Sequence, residues 1–193
     1  MEILQSNPCV KEKDGVYSIN VNEQEKKVYC DMTADGGGWT AIQKREDGST
    51  DFYKIWADYK KGFGVPFKNY WIGNDAIHYL TKTNQELRVE LLSFNDEKVY
   101  ALYSAFQVGD ESRDSLKRHN RMKFTTLDED NDFNGGNCAV NRHGAWWYAS
   151  CSDSNLNGQY VGSALSGPDY PFWLHWKSDT ALKGTAMLIR PKH

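Results

Sequence analysis

Asp128-Glu129-Asp130-Asn131-Asp132-Phe133-Asn134-Gly135-Gly136-Asn137-Cys138 crowds carboxylates, amides and turn-forming residues into one short loop. Like charges this close repel unless a cation neutralises them, and Ca²⁺ takes six to eight hard oxygens from carboxylates, amides and backbone carbonyls. Asp130-x-Asp132-x-Asn134-Gly135 reproduces the first half of an EF-hand loop, with oxygen donors at alternate positions and a glycine at the bend. The second half is missing: Asn141 stands where the bidentate Glu would be, and no amphipathic helix leads in through Lys123-Phe124-Thr125-Thr126. The stretch reads as a calcium loop of another kind, set in irregular backbone.

Outward from this loop, regular periodicity nearly vanishes between about residue 109 and Ala186-Met187-Leu188-Ile189-Arg190, which offers a last strand. Long irregular segments inside a compact domain usually carry function. Upstream the chain is more regular. Gly15-Val16-Tyr17-Ser18-Ile19-Asn20-Val21 and Lys27-Val28-Tyr29-Cys30-Asp31-Met32 alternate across a polar turn, which predicts a hairpin tied by Cys9. Asp35-Gly36-Gly37-Gly38 breaks the chain, and a strand resumes over residues 39–45. Short helices are expected over residues 55–62 and 74–81, the second capped by Asn74. Residues 86–91 and 99–108, joined by Asn95-Asp96-Glu97-Lys98, are the strongest strands and are expected to form a central antiparallel pair.

Composition narrows the function classes. A net charge of -3 and a pI near 6.0 give no basic surface for a phosphate backbone, which argues against nucleic acid. No apolar run approaches a membrane span, and residues 1–30 carry no signal-peptide pattern. The 4 cysteines, Cys9, Cys30, Cys138 and Cys151, lack zinc spacing and fit two disulfides in an oxidising, extracellular setting better than buried free thiols. Three connectivities are open, of which local closure is the simplest. An aromatic content of 13% suits a loop-rich core. His78, His119, His143 and His175 each stand alone, and neither G-x-S-x-G nor H-E-x-x-H occurs, so an enzyme is not expected.

Several ordered motifs together resemble the fibrinogen C-terminal domain family: Val28-Tyr29-Cys30-Asp31-Met32, Asp35-Gly36-Gly37-Gly38-Trp39-Thr40, Gln43-Lys44-Arg45-Glu46-Asp47-Gly48-Ser49, Tyr70-Trp71-Ile72-Gly73-Asn74, Asn137-Cys138-Ala139, Gly144-Ala145-Trp146-Trp147-Tyr148, Asn155-Leu156-Asn157-Gly158 and Met187-Leu188-Ile189-Arg190-Pro191. The resemblance runs from Cys9 to Pro191 and implies one α+β domain over residues 1–193, with subdomains at about 9–37, 38–109 and 110–193. It implies a central, mainly antiparallel sheet with short helices and a loop-rich carboxy-terminal part holding calcium. It further implies disulfides joining Cys9 with Cys30 and Cys138 with Cys151. The calcium ligands would be the carboxylates of Asp130 and Asp132 and the backbone carbonyls of Asn134 and Gly136, with Asp128 just outside the metal shell.

The family's ligand pocket lies beside the calcium, around a cis peptide that would fall at Ser150-Cys151, and in ficolin-like lectins it takes an acetyl group. Tyr170 matches the family's pocket tyrosine. Ser152 stands in place of a His, Arg142 in place of an aromatic residue, and Pro171 in place of Ala or Asp. Arg142 and His143 suit an anionic ligand such as a sialic acid, sulfate or carboxylate. Arg142, Pro171 and Leu182 also replace the groups a fibrin knob pocket would need. A second departure lies at residues 111–119, where the family's additional strand and Gly-rich loop are cut short. The expectation is a secreted, calcium-dependent module for glycans or acetylated or anionic groups on cell or microbial surfaces, of the innate-immune kind. The alternative is a fibrinogen-like module for a protein receptor. Multivalency would come from oligomerisation, for which homo-oligomers are one route.

Overall fold

The computed structural model describes residues 13–108 and 122–192. Cys9, His119, and the shortened segment at residues 111–119 lie outside the described residues.

The predicted hairpin forms from β1 (Gly15–Val21) and β2 (Gln24–Asp31), paired from Gly15↔Cys30 to Val21↔Gln24. Its two-residue turn places Asn22 and Glu23 at φ 50° and 65°, the left-handed pair that matches the right-handed twist of the strands. Ile19, Val21, Val28 and Cys30 face the core. Lys26 lies between them and α1, its Nζ donating to the carbonyls of Lys61 and Ile72 at 2.9 and 3.1 Å. After β2, Asp31 Oδ1 accepts the backbone N–H groups of Thr33 and Ala34, and the chain turns through Ala34–Gly36. Gly37 sits at φ +76°, where an added Cβ would meet the Met32 carbonyl oxygen at 2.4 Å. Only glycine passes here without displacing backbone.

Strands β3 (Trp39–Arg45) and β8 (Gly184–Pro191) are buried along nearly their whole length. They are neighbours in an eight-stranded sheet whose main path is β1-β2-β3-β8-β6-β7, every described pair antiparallel, with the short β4 (Phe63–Gly64) and β5 (Tyr70–Trp71) attached beside β3. β6 (Gln85–Leu92) alternates buried and half-buried residues, so one face packs on the core and the other looks outward. β6 and β7 (Lys98–Phe106) do pair, from Gln85↔Phe106 to Leu92↔Lys98, but they do not form the centre of the sheet. The last strand of the chain inserts between β3 and β6, which moves β7 to the edge of the described sheet.

Helices α1 (Trp56–Lys61) and α2 (Asn74–Leu80) lie where expected. The expected cap does not form: Gly73 holds the N-cap position, and Asn74 is the first helical residue. Its Oδ1 instead accepts the Trp71 indole N–H at 2.9 Å. The aromatic residues build the core between these helices and the carboxy-terminal part. Phe124 stacks against Tyr59, Trp147 and Trp71 at 5.1, 5.1 and 5.5 Å between ring centroids.

Residues 122–182 have little regular structure beyond α3 (Cys138–Asn141) and α4 (Leu174–Lys177). Their buried backbone groups must therefore find partners among side chains. A register shift in β3 falls between Ala41 and Gln43, just before the residue whose side chain reaches into this region. The buried Gln43 amide donates to Leu156 O at 3.2 Å, Asn157 Oδ1 at 3.2 Å and Thr185 Oγ1 at 3.0 Å. Arg45 Nη1 donates to Leu156 O and Gly158 O at 3.3 and 2.9 Å, and its guanidinium lies 3.9 Å over the Phe52 ring. Burial pushes this guanidinium down to about 10, so it stays charged at neutral pH.

Gln43→Leu strips these bonds and leaves buried acceptors unpaired; it is expected to cost about 2–3 kcal/mol in urea unfolding. Gly37→Ala is expected to lower stability by more than about 1 kcal/mol, read as a fall in the thermal midpoint.

Candidate functional site

Thr125 exchanges backbone hydrogen bonds with Trp146 at 2.9 and 3.3 Å, and this bridge anchors the start of the acidic loop. Asp128 points away from the loop's acidic tip. Its Oδ1 accepts the Trp56 backbone N–H at 2.8 Å and the Thr126 hydroxyl at 2.7 Å, holding the loop to the start of α1. Asn131 also turns inward, with Nδ2 donating to Phe124 O at 3.1 Å. That leaves Asp130 and Asp132 at the tip. Asp130 Oδ1 accepts Asp132 N–H at 3.3 Å. Asp132 uses Oδ1 for Asn134 N–H at 2.8 Å and Oδ2 for Cys138 N–H at 2.9 Å. Burial raises the Asp132 carboxyl above its ordinary value; the two N–H bonds oppose that shift, and the adjacent Asp130 adds to it.

Two carboxylates that each disfavour the other's charge form the kind of donor pair that a hard cation relieves. Among the described residues no three His, Cys, Asp or Glu side chains converge. A cation here would draw its remaining oxygens from backbone carbonyls, for which the resemblance implies those of Asn134 and Gly136. Asn134 Nδ2 already donates to Gly136 O at 2.8 Å, which draws these two residues together. Gly135 and Gly136 are not at positive φ, and nothing lies within 4 Å of an added Cβ. The EF-hand comparison thus overstates the glycine: no sharp left-handed bend occurs here.

Asn137 ends the loop by capping α3, its Oδ1 accepting from Ala139 N and Val140 N at 2.8 and 3.2 Å. The Cys138–Cys151 disulfide then ties α3 to the segment that carries the expected cis peptide, Ser150-Cys151. Cys30 is disulfide-bonded as well. Ser150 Oγ reaches Asn134 Oδ1 at 3.3 Å, and Phe133 N–H donates to Ala149 O at 3.0 Å, so the acidic loop and the cis segment are in direct contact.

Arg142 follows α3, and its backbone carbonyl accepts Asn155 Nδ2 at 2.9 Å. The same amide nitrogen reaches Pro168 O at 3.1 Å, while Asn155 Oδ1 accepts the buried Tyr148 hydroxyl at 2.7 Å. Asn155 therefore joins the segments bearing Arg142, Ser152 and Tyr170. An added Cβ on Gly158 would lie 2.4 Å from Asp169 O, which shows how closely these segments pass. Tyr170 is half-buried with its ring against Gly167; Pro171 is buried, and its carbonyl accepts Leu182 N–H at 2.8 Å. Arg142 Nε and Ser152 Oγ are both sealed from solvent and without a hydrogen-bond partner. His143 is placed differently from the others. At φ 44° it turns to within 3.7 Å of Asp169 Oδ2 and 5.4 Å of the Tyr53 ring, lining a cleft of about 400 Å³ with Arg45, Tyr53 and Tyr160. Asn155 and Tyr148, which organise this region, are absent from the expected site residues, although both belong to motifs that carry the family resemblance, Asn155-Leu156-Asn157-Gly158 and Gly144-Ala145-Trp146-Trp147-Tyr148.

The family model for the C-terminal globular domain of fibrinogen beta and gamma chains matches residues 8–116 and 110–192. Fibrinogen C domain-containing protein 1 of Xenopus tropicalis is 42% identical over 208 aligned positions, covering 94% of this chain and 45% of the relative. The chain thus spans about half the length of this curated relative. Since 94% of 193 residues is about 181, about 27 of the 208 aligned positions have no counterpart here. Among solved structures, the fibrinogen-like globe domain of human ANGPTL6 superposes with a TM-score of 0.89 at 36% identity, over 94% of this chain and 90% of that one. Lamprey fibrin D-dimer in complex with the peptide Gly-His-Arg-Pro-amide superposes at 0.86 and 28% identity, over 95% and 70%. By sequence along its length and by fold, the chain belongs to the fibrinogen C-terminal globular domain family.

Proposed function

We propose that this domain is a calcium-dependent extracellular recognition module. It binds carbohydrate, or other acetylated or anionic groups, where the loop at residues 130–136 meets the Cys138–Cys151 crossing. The observation that carries this reading is the pair of sealed, unpartnered polar atoms, Arg142 Nε and Ser152 Oγ, on the two sides of that crossing. A buried donor without an acceptor costs about 1–3 kcal/mol, so the site favours a ligand that brings an acceptor oxygen. A carboxylate, a sulfate or an acetyl carbonyl supplies one. Arg142 Nε would donate to that oxygen and Ser152 Oγ would complete the contact, with the half-buried Tyr170 ring offering apolar surface to a methyl group or sugar face.

Calcium, held by the Asp130 and Asp132 carboxylates and the carbonyls of Asn134 and Gly136, would supply fixed positive charge that balances the acidic loop. This chain's own contribution is to keep the loop against the cis segment through Ser150–Asn134 and Phe133–Ala149. A second reading, a module for a protein or peptide partner, is favoured by the peptide complex of lamprey fibrin, whose fold this chain shares.

Asp130→Ala is expected to weaken Ca²⁺ binding at least tenfold by calorimetry, since half of the carboxylate charge of the site is removed. A panel of N-acetylated, sialylated and sulfated glycans, probed with calcium and with chelator, is expected to show binding that chelation abolishes. Arg142→Met is expected to weaken anionic ligands about tenfold or more. Equal binding with and without chelator refutes the site, and a silent panel with retained binding to cell-surface protein selects the second reading.

A further inference from the structure

The acidic loop holds three asparagines, and the peptide N–H that follows each one meets a different fate. After Asn131, the Asp132 N–H donates to Asp130 Oδ1 at 3.3 Å, while the Asn131 amide is itself held by Phe124 O. After Asn137, the Cys138 N–H donates to Asp132 Oδ2 at 2.9 Å, and the Asn137 side chain caps α3. Gly135, which follows Asn134, is exposed, and its N–H has no hydrogen-bond partner among the described residues. Nothing lies within 4 Å of a Cβ added there, so the peptide nitrogen is sterically open as well.

The Asn134 side chain runs back along this same peptide. Its Nδ2 donates to Gly136 O at 2.8 Å, so the side-chain amide spans the Gly135 unit instead of pointing into solvent. Ser150 Oγ donates to its Oδ1 at 3.3 Å, which polarises the amide carbonyl toward attack. The chain carries a second Asn-Gly pair, Asn157-Gly158, in the opposite setting. Both residues are buried; Asn157 Nδ2 donates to Ala145 O at 3.1 Å, and Gly158 N–H donates to Asn155 O at 3.0 Å. A nitrogen committed in this way is available only when the surrounding structure opens.

We propose that Asn134 is a site of spontaneous deamidation, selected by the structure from the two Asn-Gly pairs of the chain. The Gly135 nitrogen attacks Asn134 Cγ, the new C–N bond closes a succinimide ring, and the side-chain nitrogen leaves as ammonia, taking up the proton that the peptide N–H gives up. Water then opens the ring at either carbonyl and leaves an aspartate or an isoaspartate. The overall change consumes water, releases ammonia and adds a negative charge, with no oxidant or cofactor. Glycine favours the closure because no side chain crowds the attacking nitrogen. The product carboxylate cannot donate to Gly136 O, so the contact that draws these two residues together is lost. A third acid joins Asp130 and Asp132 at the loop tip, against Ser150, and the join between the loop and the cis segment becomes more acidic as the protein ages.

Peptide mapping by mass spectrometry of the folded chain, held at physiological pH and temperature, tests this. The peptide bearing Asn134 is expected to show the mass shift of an amide-to-acid conversion, partly as isoaspartate, at least tenfold faster than the peptide bearing Asn157. In guanidinium chloride, where both pairs are unfolded, the two rates are expected to converge. Gly135→Val puts a β-branched side chain beside the nitrogen at a position with room for it. The variant is expected to convert at least tenfold more slowly and to keep the thermal midpoint of the parent. An Asn134 that survives as long as Asn157 in the folded chain overturns the proposal. So does a rate gap that persists in denaturant, and so does a folded Gly135→Val variant that converts like the parent.

Discussion

Everything in the carboxy-terminal part depends on a few buried polar contacts between β3 and the turn at residues 155–158. Gln43 and Arg45 stay paired with Met187 and Thr185 in the β3–β8 ladder, and their side chains supply donors to Leu156 O, Asn157 Oδ1 and Gly158 O. Irregular backbone cannot satisfy its own hydrogen bonds, and burying it unpaired would cost several kcal/mol over a few residues. The sheet therefore provides what a helix or ladder provides elsewhere. Arg45 makes the arrangement possible as a cation without an ion-pair partner among the described residues, because two carbonyls and the Phe52 ring share its charge. A guanidinium suits this role better than an ammonium, since its flat face stacks while its edge donates.

From that junction order passes outward in steps. Asn157 fixes Ala145 O at 3.1 Å, and Asn155 gathers Tyr148, Arg142 and Pro168. The disulfide at Cys138–Cys151 then locks α3 against the cis segment, and Ser150 touches the acidic loop. Each step is polar and short-ranged, which suits a site that must present loops in one arrangement. Such networks are specific because half-satisfied alternatives are poor. Asp128 shows how the sequence divides labour within one acidic run: it holds the loop to α1, while Asp130 and Asp132 face each other at the tip.

The sheet shows a complementary economy. β3 and β8 are covered on both faces and carry the core, whereas β6 and β7 extend beyond that cover. Leu87, Val89 and Leu91 of β6 are buried on its core-facing side.

By itself the sequence determined the hairpin at Gly15–Val21 and Gln24–Asp31, the strand at Trp39–Arg45 and the two longer helices. These are local: alternation and turn residues act within a few residues of each other. Motifs along the whole chain carried the family resemblance, and the resemblance supplied the Cys138–Cys151 pair and the cis peptide at Ser150-Cys151. Tertiary structure decided the rest. Strand order is a long-range choice, so the insertion of β8 between β3 and β6 could not be read from strands that looked strongest in sequence. Strands and helices of two to four residues, such as Tyr70–Trp71 and Leu174–Lys177, have no period to detect. Asn74 gave up the cap for an indole, and Asn155 became an organising residue. The fate of a polar side chain depends on which donors and acceptors the fold brings to it, and distance along the chain carries no record of that.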